Sequence, residues 1–248
     1  MRRQWTLLLV ALQFLTRLPV SLADDLPADS LAESARYFPI VGAIVGLGAV
    51  AIDLLIAARA GRNASVVLIL IYLVVVTGGL HEDGLADAAD GFGGGWTKDR
   101  VLSIMRDSHV GSFGAVAIGC SLLARFAFLT SLPATKFHGV LIAGQVLGRW
   151  ATVPLARVLP PARSEDGQGA RMAQKTSTTA LVVASALMAL IVVATCQLAA
   201  VWMIAIACVV AALTGAYYRR RLGGITGDCL GATCQLTESA VYLTGVIS

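Results

Sequence analysis

The stretch that decides the fold runs from Asn63 to Gly91, NASVVLILIYLVVVTGGLHEDGLADAADG. Its first seventeen residues carry no charge, and the next twelve hold His81 and four carboxylates, Glu82, Asp83, Asp87 and Asp90. A helix crossing a bilayer needs about 20 mostly apolar residues. The apolar run is slightly short, so the helix is expected to continue a turn or more past Gly79. A greasy helix that ends in clustered acids raises two questions: what surrounds the chain, and what the acids bind.

The whole chain answers the first. Of its 248 residues 57% are apolar and 14% charged, with a mean hydropathy of +0.77. Soluble domains carry nearer 25% charge. The composition predicts an all-α, polytopic integral membrane helix bundle, with residues 1–248 forming a single transmembrane domain. Apolar segments near 38–58, 64–80, 112–132, 138–158, 180–197, 199–217 and 229–247 predict about seven transmembrane helices. Segment 4–20 is interrupted by Arg17 and ended by Pro19, so it is expected as an interfacial or re-entrant N-terminal helix. Arg2 and Arg3 begin it as in a signal peptide, but no convincing small-residue cleavage site comes after them.

Lysines and arginines set the orientation. Arg219–Arg221, the loop with Arg157, Arg163, Arg171 and Lys175, and the group Lys98, Arg100 and Arg106 fall on one side by alternation of spans. That side is predicted cytoplasmic, with the acidic stretch on it and with Arg59 and Arg62 outside. The net charge of +4 is spread over short loop clusters, not along one face, which excludes nucleic acid as a partner. The five cysteines show no zinc spacing and read as small apolar filler.

Asp83, Asp87 and Asp90 are spaced i, i+4, i+7, one face of a helix. Like charges so spaced destabilise a helix. A hard divalent cation such as Mg²⁺, which takes carboxylate, water and phosphate oxygens, is the natural partner. A second stretch, GGITGDCLGATCQLTE (223–238), puts Asp228, Gln235 and Glu238 on one helical face on the same side. The two ends could build one metal cage, with one ion or two left open. The third, KDRVLSIMRDSHVGSFG (98–114), offers Lys98, Arg100 and Arg106 to phosphate oxygens. Ser108, Gly111, Ser112 and Gly114 then open a helix, whose N-terminus is an anion site. Arg125 and Arg149 lie inside apolar segments, where a charge is expensive. Arg149 is placed to reach a phosphate or a carboxylate, and Arg125 to pair with an acid such as Asp53. His138 falls in a predicted outer turn and is given no role.

These motifs, GLHEDGLADAADG, IMRDSHVGSFG and GGITGDCLGA, together with FLTRLPV (Phe14–Val20) and RYFPIVGAIVG (Arg36–Gly46), resemble the cobalamin synthase family, the adenosylcobinamide-GDP ribazoletransferases. The likeness runs in order over nearly the whole chain. It implies a multi-pass enzyme of the bacterial inner membrane, its active site facing the cytoplasm. With Mg²⁺ it would join adenosylcobinamide-GDP to α-ribazole or its 5′-phosphate, giving adenosylcobalamin or its phosphate and GMP. On this reading Glu82, Asp83, Asp87, Asp90, Asp228 and Glu238 bind metal. Asp83, Asp87, Asp90 and His81 are catalytic, with the base left open between Asp90 and His81. Lys98, Arg100, Arg106 and Arg149 hold the diphosphate, and Asp107, Ser108, Ser112 and Thr226 join the substrate site. Arg17 and Arg36 would meet the ribazole phosphate or the corrinoid edge. The expected partners are these substrates and membrane lipid, with a homo-oligomer or a complex with other cobalamin-assembly enzymes left open. Position 235 is Gln, where an acid would complete the second carboxylate face.

Two other classes fit less well. An ion-coupled transporter keeps its carboxylates near the midplane, in broken helices. A CDP-alcohol phosphotransferase has an Ala-Arg beyond its Asp-Gly pair that is absent after Asp83-Gly84.

Overall fold

The computed structural model describes residues 2–22, 26–27, 29–163, 172–173 and 175–248, and Arg171 lies outside them. The described elements are helices, joined by turns and one isolated backbone bridge between Pro161 and Ile225. In order they are α1 (Arg2–Leu15), α2 (Ser30–Ser34), α3 (Phe38–Thr77), α4 (Leu80–Gly94), α5 (Lys98–Ile104), α6 (Ser112–Ser131), α7 (Ala134–Val158), α8 (Thr178–Cys196), α9 (Ala200–Leu222) and α10 (Gly227–Ile247).

Among the described residues three helical stretches are long and apolar enough to cross a membrane: Ser30–Thr77, Ser112–Ser131 and Thr178–Leu222. The first and third have 48 and 45 residues, more than twice the length one crossing takes. The first doubles back. Gly61 leaves the helix at φ 80°, ψ 167°, and the Ser65 hydroxyl donates to the Asp53 carboxylate at 2.6 Å. Twelve residues of straight helix would hold those two about 18 Å apart. The segments expected at 38–58 and 64–80 are therefore the two arms of α3. In the third stretch the 3₁₀ turn Gln197–Ala199 separates α8 from α9. Helix α1 has 14 residues, about 21 Å, too short for a hydrocarbon core of about 30 Å. It packs inward through Leu7, Val10, Ala11 and Leu15.

One boundary differs from expectation. The helix does not continue past Gly79. It stops at Thr77 because Gly78 and Gly79 both take left-handed backbone, φ 64° and 70°, and α4 begins afresh at Leu80.

Helix α7 is buried on every side along most of its length, as a bundle's central helix must be. Gly42 and Gly46 let α3 lie directly on it. A Cβ at those positions would come within 2.8 Å of Val146 Cα and 2.9 Å of Ile142 Cα, the small-residue contact of membrane helices. The outer surface is apolar: Leu54, Leu55, Ile71, Val75, Leu190, Val201, Trp202 and Leu213 are all exposed. So much apolar exterior suits lipid and not water.

Charge collects at the two ends of the bundle. At one end Asp53 accepts from Ser65, pairs with His138 Nε2 at 2.8 Å and lies 3.8 Å from Arg62, whose guanidinium covers the Phe137 ring. The expected Asp53–Arg125 pair is therefore replaced by one with His138. At the other end, residues 160–162 and 225 exchange backbone hydrogen bonds (Ile225 N to Pro160 O, 2.9 Å; Ala162 N to Ile225 O, 2.8 Å), and Arg221 donates to Gly95 O at 2.7 Å. This end holds α5, the turn out of α4 at Gly95 and the start of α10.

Candidate functional site

Two glycines bring the acidic stretches together. Helices α4 and α10 touch at Gly84 and Gly231: a Cβ on Gly84 would lie 3.1 Å from Gly231 Cα and from the Asp228 carbonyl. Asp83 and Asp228 therefore stand side by side at one end of the bundle, as the picture of a shared site requires. Asp83 is exposed and Asp87 partly so.

Electrostatics agree with that placement. Burial first, then the carboxylates of Asp228, Asp83 and Asp90, raise the Asp87 carboxyl to about 7, against the opposing charge of Arg163. Asp228 is raised too, by burial above all, with Arg163 and the Thr226 hydroxyl opposing. The face thus holds more negative charge than its neighbours neutralise. Its exposed donors, from Asp83, Asp87 and Asp228, are all carboxylate oxygens, the ligands of a hard cation. Among the described residues no three His, Cys, Asp or Glu side chains form a ready metal cluster. Mg²⁺ does not require one. It usually takes one or two carboxylates and completes its shell with water and substrate phosphate. On these observations the residues fit such an ion.

Asp90 does something else. Its Oδ2 accepts from Gly111 N at 2.7 Å and its Oδ1 from Gly114 N at 2.9 Å. It caps the start of α6, so both its oxygens are engaged, and the helix N-terminus expected to hold phosphate is filled by the protein's own carboxylate. Both glycines are needed, since a Cβ at either would strike the Asp90 carboxylate. Gly114→Ala is expected to break the cap and to cost about 1–2 kcal/mol, read as a lower unfolding temperature in detergent. Unchanged stability would remove the cap from the account.

Glu82 and Glu238 also depart from the metal role. Arg125 donates to Glu82 at 3.2 Å and to Glu238 at 3.4 Å, and Arg149 pairs with Glu238. Gln145 bridges the network, accepting from Arg149 at 2.6 Å and donating to Glu238 at 3.0 Å and to the Tyr242 hydroxyl at 2.7 Å. Two negative and two positive side chains cancel inside the bundle, where a lone charge is untenable. Arg149 thus serves a carboxylate, not a phosphate. Gln235 explains itself here: its amide donates to Glu82 at 3.0 Å, and an acid would add a third carboxylate. His81 is buried beside this network. Burial, then the guanidiniums of Arg149 and Arg125, hold its pKa well below normal and keep it neutral. Neither Asp90 nor His81 is thus placed as the base.

The remaining candidates divide. Lys98, Arg100, Arg106, Ser108 and Ser112 are exposed at this end. Arg100, Asp107, His109, Gly111 and Ser112 line a cleft of about 340 Å³ beside Asp90. Asp107 holds its loop, accepting from the His109 backbone at 3.1 Å and bonding its ring at 2.6 Å, which lowers the Asp107 pKa. Thr226 is structural: its hydroxyl accepts from Cys229 N at 3.2 Å and donates to Asp228 at 3.2 Å. Arg17 lies against Gly78 at the α3–α4 turn. Arg36 is tied to Glu33 in α2, donating to its carbonyl at 2.9 Å. All five cysteines are free.

Sequence reasoning missed Arg163, Gln145 and the partner choice of Arg125. One signal was available for Arg163: the pair Pro160-Pro161 just before it marks a stiff segment, which fixes the position of the next residues.

The family model described as cobalamin-5-phosphate synthase matches residues 7–246. The adenosylcobinamide-GDP ribazoletransferase of Chlorobaculum tepidum is 39% identical, over 97% of this chain and 94% of that protein. Those of Shewanella frigidimarina, 34% identical over 97% and 94%, and Shewanella amazonensis, 36% identical over 98% and 95%, are similar as well. No solved structure matches the chain.

Proposed function

The chain belongs to the cobalamin-5-phosphate synthase family, and on that premise we propose that it is a transferase joining adenosylcobinamide-GDP to α-ribazole or its 5′-phosphate. The products are adenosylcobalamin or its phosphate and GMP. The observation that carries the reading is the meeting of Asp83, Asp87 and Asp228 at the α4–α10 contact, open at the end that also bears α5.

Asp83, Asp87 and Asp228 would hold Mg²⁺, which when bound would supply charge neutralisation for the diphosphate. The rest falls to the chain's own side chains. Lys98, Arg100 and Arg106 attract the diphosphate to the acidic face, which would otherwise repel it. The cleft at Arg100 and Ser112 orients its nucleotide side. A ribose hydroxyl of ribazole attacks the phosphorus on the cobinamide side. The bond from that phosphorus to the bridging oxygen breaks, and GMP leaves with the electron pair. The hydroxyl proton passes to one of the two accessible carboxylates, Asp83 or Asp87, and on to solvent. Such a reaction needs positioning and charge neutralisation more than covalent help.

The test is turnover. Purified protein in nanodiscs, given adenosylcobinamide-GDP, α-ribazole phosphate and Mg²⁺, should release GMP, stop with EDTA and restart with Mg²⁺. Folded protein that releases no GMP would overturn the reading.

We further place the bundle in the bacterial inner membrane with about seven spans, α1 in the interface and the acidic end in the cytoplasm. The lysines and arginines of α5 and Arg219–Arg221 at that end support this orientation. In a variant lacking the native cysteines, a cysteine at Ser112 or Trp96 should react with an impermeant maleimide from the cytoplasm. One at Asn63 or Leu198 should react from outside. The reverse pattern would invert the orientation.

A further inference from the structure

Arg163 reads from the sequence as a topology charge, yet among the described residues it is the basic side chain paired with the acidic face. Its Nη2 lies 3.8 Å from Asp228 Oδ2 and donates to the Leu102 carbonyl of α5 at 3.1 Å. Its Nε is buried and has no hydrogen-bond partner among the described residues. A guanidinium has five donor hydrogens in a rigid fork suited to phosphate. Here the described hydrogen bonding of that fork is a single bond to a backbone oxygen.

Its backbone is held firmly. Pro160 and Ala162 exchange hydrogen bonds with Ile225, and a Cβ on Gly224 would collide with the Pro160 carbonyl. Residue 163 is therefore fixed at the seam between α5 and the start of α10, next to both the acids and the basic helix. The side chain is 22% exposed, so its donor end can still turn.

The charge count gives it a role. Three carboxylates against one guanidinium leave the face negative, ready for a dication. A dication and Arg163 then repel each other, while an arriving diphosphate attracts both. We propose that Arg163 is the resident counter-cation of this face and a phosphate-binding residue of the same site: it holds Asp228 while the site is empty and turns to the diphosphate oxygens once a divalent cation and the nucleoside diphosphate are bound. The proposal rests on the acidic face being a divalent-cation site.

Mn²⁺ binding, measured by electron paramagnetic resonance on the full chain in nanodiscs without substrate, tests it apart from activity. Arg163→Gln should bind Mn²⁺ about tenfold more tightly than wild type, since a competing charge is gone. Its kcat should fall about a hundredfold, since a donor to the reacting phosphates is gone. Arg163→Lys keeps the charge and loses the fork, so its Mn²⁺ affinity should match wild type while its kcat falls by less. Should the Gln variant fail to fold, the Lys variant carries the test alone: unchanged Mn²⁺ affinity with reduced kcat supports the proposal, and full kcat overturns it. Equal Mn²⁺ affinity in wild type and Arg163→Gln, or an unchanged kcat, would overturn the Arg163 assignment by itself. No Mn²⁺ binding to wild type, or equal binding by Asp83→Asn, would instead bring down the underlying metal reading and this proposal with it.

Discussion

Asp83→Asn is expected to cut GMP release about a thousandfold while leaving the unfolding temperature unchanged. The rate estimate comes from removing a direct cation ligand, which should exceed the 10–100-fold typical of a supporting partner. The stability estimate comes from what Asp83 does in the fold. It is exposed, and in the described structure it neither pairs with an arginine nor caps a helix. It raises the carboxyls of Asp87 and Asp228, so neutralising it relieves repulsion. It also stands in the first turn of α4, where a negative charge is mildly favourable, and the two effects oppose each other. Activity measured beside thermal unfolding separates the outcomes. Near wild-type turnover would sink the metal assignment, and a large loss of stability would show that Asp83 has a structural duty as well.

Arg149→Met should do the opposite: unfold the protein first. Arg149 is 2% exposed and Glu238 1%. Removing the guanidinium leaves Glu238 to Arg125 at 3.4 Å and the Gln145 amide at 3.0 Å, an undercompensated charge in the bundle core. Breaking a buried pair in this way costs about 3–5 kcal/mol. Replacing both members, Arg149→Met with Glu238→Gln, should recover most of that loss, because no orphan charge remains. Unfolding temperatures of the two single variants and the double in the same detergent give the cycle. If the double variant is as unstable as the singles combined, the network does not act as a unit. Arg149 would then need another explanation, such as the phosphate role expected from the sequence.

The sequence was most legible where periodicity carries the information. Apolar run lengths located the arms of α3, and also α6 to α10, because a lipid-facing or buried helix has to be apolar along its length. The i, i+4, i+7 spacing correctly put Asp83 and Asp87 on one face. It could not separate Asp90 from them. Spacing reports which side of a helix a residue occupies and not what lies opposite, and what lies opposite Asp90 is the start of α6. Glu82 and Glu238 were misjudged for the same reason: their partners, Arg125 and Arg149, are distant in sequence and meet them only once α4, α6, α7 and α10 pack. The glycine contact between α4 and α10 was not legible at all. That Gly84 meets Gly231 is a result of the bundle's geometry and of nothing local.

The two left-handed glycines at 78 and 79 carry one more consequence. A connection of two residues has no slack, and each residue added at a helix start rotates the rest of that helix by about 100°. One insertion there would swing Asp83 and Asp87 away from Asp228, or tear Gly84 off Gly231. The phase of the whole reactive surface is therefore counted in residues from Thr77. An alignment of active relatives is expected to hold no gap between that position and Leu80, whereas the exposed bend at Gly61, at the far end, should accept insertions or a fused tag without loss of turnover.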